Sequence, residues 1–143
     1  RNVDYVGAAR RHLKDAQILM HANRQANAGQ VLGFTIECGL KALLLACGIA
    51  PDLDGGIPKG NLFRQHMPAL SDRLISSGNL VPDGPRSSHY RAMLPNVVAL
   101  SDWSVDHRYF RETALPLTSI PKWELAALEM NEMLDQAIVD GVM

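Results

Sequence analysis

The chain has 143 residues, one domain's worth and enough to bury a core without disulfide or metal staples. Lys and Arg number 14 against 15 Asp and Glu, a formal net charge of -1, which excludes a global field attracting nucleic acid or an anionic membrane. No uncharged apolar run reaches the ~20 residues of a bilayer span, and no basic-then-apolar leader opens the sequence, which starts at Arg1 and is expected to be trimmed or a fragment.

Asp4 is placed to cap a first helix running to about Met20, in which Val6, Ala9, Leu13, Ala16 and Met20 recur at helical spacing. The polar, small stretch from His21 to Gly29 holds a turn, although Gln25 to Ala28 can already begin the next helix. From Gln30 to Cys47 the sequence is almost wholly apolar, which predicts a central helix buried on most sides, stopped by Gly48 and Pro51. Two long helices joined so tightly form an antiparallel hairpin. Residues 49–60 are dense in turn formers. Met67, Leu70 and Leu74 mark a short third helix with Pro68 in its first turn and Gly78 at its end, followed by a loop over residues 79–85. Tyr90, Met93, Leu94, Val97 and Leu100 predict a fourth helix to about Asp102, kinked or divided at Pro95. Residues 103–119 read as an ordered loop. Pro121 opens a last helix with Trp123, Ala127, Met130, Leu134, Ala137 and Ile138 inward and Glu124, Glu129, Glu132 and Asp135 outward. Period-two alternation is absent, so the chain is expected to be a single all-α domain over residues 1–143.

The chemistry concentrates in two places. In the apolar second helix, Glu37 and Lys41 stand one turn apart with the carboxylate on the N-terminal side, the better order for an ion pair. Charges in such a helix must be paired, hydrogen-bonded or facing a wet cleft. The bland reading is an ion pair that bridges the central helix to its neighbours or merely meets solvent along a narrow strip; the functional one is a cleft or dimer seam in which Lys41 takes phosphate and Glu37 orients a basic group. The second place is the loop holding Trp103, His107, Arg108 and Tyr109, where Arg reads phosphate and aromatic faces stack on bases. Its bland reading has Trp103 and Tyr109 plugging the bundle end while His107 and Arg108 pair with the acidic last helix. Arg10, Arg11, His12, Lys14 and Arg24 make a modest basic face. Cys38 and Cys47, nine positions apart in one helix, are too distant to bridge and read as buried thiols of a reducing cytoplasm. No metal-ligand spacing, Walker loop or Gly-x-Ser-x-Gly elbow occurs, so no metal or cofactor is expected.

The order of these features resembles the HEPN superfamily, the higher-eukaryote and prokaryote nucleotide-binding domains. The resemblance rests on Ala8-Ala9-Arg10, the segment Gln30-Val-Leu-Gly-Phe-Thr-Ile-Glu37-Cys-Gly-Leu-Lys41, the basic approach His66-x-x-x-Leu70, and Arg108-Tyr109 before the last helix. It implies an up-and-down bundle of four to five helices, a homodimer, and work on RNA or nucleotides, in many members beside a nucleotidyltransferase partner. RNA-cleaving members carry an Arg followed, after four to six residues, by a His that serves as general acid or base. No pair here has that spacing. The resemblance therefore implies a non-catalytic nucleotide- or RNA-binding or partner-binding module in a prokaryotic toxin-antitoxin or defence setting, cytoplasmic and off the membrane. Its ligand-binding residues would be Glu37, Lys41, Arg64, His66, Trp103, Arg108 and Tyr109. Two alternatives stay open: a divergent metal-independent endoribonuclease with a site assembled across the dimer from His66, His107 and Arg108, and a purely structural dimerisation domain.

Overall fold

The computed structural model describes all residues 1–143 and contains helices and turns only. Three long helices form its core: α1 (Tyr5–His21), α2 (Gln25–Ala46) and α5 (Ile120–Val139). Two short ones, α3 (Ala69–Ser76) and α4 (Gly84–Arg91), lie between them in sequence. The expected all-α bundle is what forms. Asp4 caps α1, its Oδ1 accepting from the Gly7 N–H at 2.8 Å. The connection to α2 turns through Asn23, at φ 57°, so α1 and α2 pack as an antiparallel hairpin.

α5 lies along α2 in the same direction, because Trp123 sits against Gly29 and Met130 against Gly39. At Gly39 a Cβ would stand 2.2 Å from the Met130 sulfur, so the absence of a side chain lets the two helices approach closely. α5 also meets α1, where Arg10 pairs with Asp135 at 2.6 Å and donates to Asn131. By length and apolarity α2 could cross a membrane, yet most of it is buried between α1 and α5, as a core helix is.

The connection from α2 to α3 folds inward, burying Ile57, Phe63 and Met67. Asp52 organises its turn by accepting from the Asp54 and Gly56 N–H groups, which holds the carboxyl below its ordinary range. The fourth helix differs from expectation. It begins at Gly84, capped by Asp83 and with Pro85 in its first turn, and it stops at Arg91. Pro95 removes a donor and clashes with the preceding turn, so residues Val97–Asp102 continue as a separate 3₁₀ segment. Three further 3₁₀ turns occupy the stretch expected to be an ordered loop. In α5, Ile138 is 43 % exposed rather than inward, and Met133 fills the core in its place. Glu129 is not fully outward either, since it accepts from the Asn96 backbone and side chain.

Candidate functional site

α2 leaves a partly exposed strip through Gln30, Phe34, Cys38 and Lys41, one residue per turn along one side. Glu37 stands at its edge, 6 % exposed. Its Oε1 accepts from the Lys41 ammonium at 2.8 Å, and both carboxylate oxygens lie 3.1 Å from His66 Nδ1. The Met67 N–H reaches Oε2 at 3.4 Å. Glu37 thus gathers a cation of its own helix and two groups from the segment just ahead of α3, which ties that segment onto α2. A carboxylate paired with an ammonium only accepts, so Nδ1 carries the proton and Nε2 of His66 is the outward nitrogen. The His66 side chain is 60 % exposed, against 11 % for Lys41.

Two more side chains flank this cluster. His12 of α1 packs its ring against Phe34, with centroids 5.7 Å apart. Burial lowers the pKa of His12, Arg11 lowers it further, and Asp15 and Glu37 oppose the shift. Beside Glu37, the Cys38 thiol is pushed up to about 11, mainly by burial and then by the Glu37 charge. Neither His12 nor Cys38 was assigned to the site from sequence. Cys38 adjoins Glu37 in the chain, but only helix packing brings His12 across.

The remaining expected residues lie elsewhere. Arg64 precedes His66 by two positions yet turns away, donating to the Ile57 carbonyl at 3.2 Å with Asp52 at 4.0 Å. Trp103 offers no face for stacking: it is 1 % exposed, donates from Nε1 to the Gly29 carbonyl at 3.0 Å, and packs closely against Gly33. It is a core plug, as the bland reading of that loop had it, whereas Tyr109, which that reading also placed inside, is 75 % exposed, and neither His107 nor Arg108 forms an ion pair with the last helix. Arg108 and Tyr109 are exposed, the guanidinium 4.8 Å from the Tyr109 ring centroid. Their segment is fastened to the start of α2 and α5, through Gln30 to the Val105 carbonyl and through His107 stacked near Trp123. Gln30 and Glu37 share a face of α2 but stand two turns apart, about 10 Å along the axis.

The structure therefore assembles Glu37, Lys41 and His66 and separates them from Arg64, Trp103, His107, Arg108 and Tyr109. Chemically, the cluster is a fixed imidazole with one free nitrogen beside a neutralised ion pair. With the proton on Nδ1, Nε2 accepts a hydrogen bond from a ligand. No family model matches the chain, and neither a curated protein nor a solved structure matches it significantly.

Proposed function

We propose that the protein is a non-catalytic, HEPN-like nucleotide- or RNA-binding module, cytoplasmic and dimeric, with the Glu37–Lys41–His66 cluster as its principal contact. One observation carries the reading: a buried carboxylate spends its acceptors on orienting an exposed imidazole and a neighbouring ammonium, leaving His66 Nε2 outward. An arrangement serving only stability would be simpler if apolar, since desolvation opposes the Coulomb gain of a buried pair. The segment that carries the exposed Arg108–Tyr109 pair is fastened to α2 through Gln30, two turns from Glu37, and suits an extended ligand contacting both. In this reading Lys41 meets phosphate, His66 Nε2 accepts from a ribose hydroxyl or a base N–H, Glu37 positions both, and Tyr109 takes over the stacking first expected of Trp103.

Anisotropy titrations with a labelled single-stranded RNA and with a mononucleotide test this at low salt. His66→Asn and Arg108→Ala, both at exposed positions, are each expected to weaken binding about 5- to 10-fold, and salt to weaken it further. Absence of binding by the unaltered protein in low salt removes the proposal. The oriented imidazole also suits a general base, so cleavage of RNA that is lost in His66→Asn would make the protein an endoribonuclease instead. His107 and Arg108 of one chain would then not share the reacting phosphate with His66, given the two turns of α2 between their anchors.

A further inference from the structure

A second feature lies on the other side of the Leu40 turn of α2, between α3 and α4. Two adjoining hollows of about 320 and 460 Å³ share Leu74, Ile75, Ser88 and Arg91, forming one groove. One end is apolar, floored by Leu40, Leu74 and Leu94, all nearly fully buried. The other end is polar, lined by Ser76, Asn79, Ser87 and Ser88.

The charge of this groove is one-sided. Arg91 is the one charged residue lining either hollow, and it forms no ion pair. Its Nη1 donates to the Leu74 carbonyl near the end of α3 at 3.2 Å, which anchors the guanidinium and leaves the rest of its planar fork uncommitted. The hollow at the start of α2 contrasts with this, for there the lining holds both Arg24 and Glu112. A second, independent observation comes from Ser87. The residue is 2 % exposed, lines the polar end, and its hydroxyl has no hydrogen-bond partner. A buried hydroxyl without a partner costs free energy unless something arrives to satisfy it.

We propose that this groove binds a small amphipathic carboxylate, its head group held by Arg91 and the Ser87 and Ser88 hydroxyls, its apolar body lying over Leu40, Leu74 and Leu94. The chemistry follows from the lining: an uncompensated guanidinium matches a carboxylate in fork geometry, and the apolar floor next to it matches a hydrocarbon chain. The smaller hollow is of the size that takes a compact ligand. This site is independent of the Glu37 cluster and of the nucleic-acid reading.

Titration of the full chain with decanoate, decanol and acetate, followed by backbone amide chemical shifts below the micellar concentration, tests the proposal. Decanoate is expected to bind about 10- to 100-fold more tightly than decanol, and acetate hardly at all, because a hydrogen bond to a charged group and apolar burial are both needed. Arg91→Gln should bring decanoate down to the decanol level while leaving decanol unchanged. Ile75→Glu places a carboxylate on the rim at a position 68 % exposed and should weaken decanoate more than decanol, lowering the ratio of the two affinities. Ser87→Ala should weaken decanoate about 2- to 10-fold. Equal affinity for decanoate and decanol overturns the assignment, as do shifts centred away from residues 71–97 and binding of a peptide carboxyl terminus but not of decanoate. If Arg91→Gln loses its helical circular dichroism, the Ile75→Glu ratio decides the matter.

Discussion

Removing Glu37 and removing Lys41 are not equivalent perturbations, and a double-mutant cycle reads the difference. Glu37→Leu leaves the Lys41 ammonium, 11 % exposed, with no counter-charge and also strips the Met67 N–H of its acceptor. Truncating one member of a fully buried pair costs about 3–5 kcal/mol. The strip along α2 is not fully dry, so the cost falls below that range, to about 2–3 kcal/mol. Lys41→Met leaves Glu37 with two remaining donors, His66 and the Met67 N–H, and should cost about 1–2 kcal/mol. The double variant Glu37→Leu/Lys41→Met abolishes both charges and should lose only about 1 kcal/mol, the cost of the orphaned Met67 N–H. The singles then sum to well above the double, a coupling of about 2–4 kcal/mol. Urea unfolding, followed by far-ultraviolet circular dichroism and by the fluorescence of the buried Trp103 and Trp123, measures all three. A double variant that loses as much as the two singles together, within about 0.5 kcal/mol, would mean a solvated surface pair and would refute the account of the strip.

Three further outcomes are expected. Gly33→Ala places a methyl 2.0 Å from Trp103 Cε2, so overpacking and the displaced indole N–H should outweigh the helix-propensity gain and cost about 2 kcal/mol or more. Gly84→Ala, with nothing within 4 Å of its Cβ, is the control and should leave the melting temperature almost unchanged. Because the folded pKa of His12 is lowered, the unfolded chain takes up a proton there first, so this residue subtracts stability as pH falls below about 6.5 and contributes nothing above it. His12→Gln should therefore flatten the stability profile between neutral pH and about 5.5, and an unchanged slope counts against burial of the ring. Cys38 and Cys47, each with a thiol at about 11, should alkylate about 10- to 100-fold more slowly at pH 8 than an ordinary thiol. Glu37→Gln should accelerate Cys38 but not Cys47; equal acceleration of both would signal loosening of the fold rather than loss of the Glu37 charge.

The cluster itself was half legible. Glu37 and Lys41 share a helix, so their spacing alone predicts that they meet. His66 entered only through a resemblance in the order of motifs, and its contact with Glu37 depends on a long connection folding back onto α2. Arg64, two positions earlier, reads as equally basic, yet the turn around Ile57 claims it. Trp103 marks the same limit: the residue type fits a stacking platform, but whether an indole is outside or inside depends on Gly33 lying opposite, seventy positions away.

Local periodicity determined what is local. The caps and limits of α1, the burial of α2, the position of α5 and the break at Pro95 all follow from spacing, turn residues and the covalent chemistry of proline, since each depends on neighbours a few residues away. Tertiary structure decided the rest: the parallel course of α5 beside α2, the pinning of His66 by Glu37, and the gathering of Arg91, Ser87 and Leu40 around one groove. These need close approaches between residues far apart in the chain. Such approaches are selected by the packing of the whole core, and no single segment's pattern carries them.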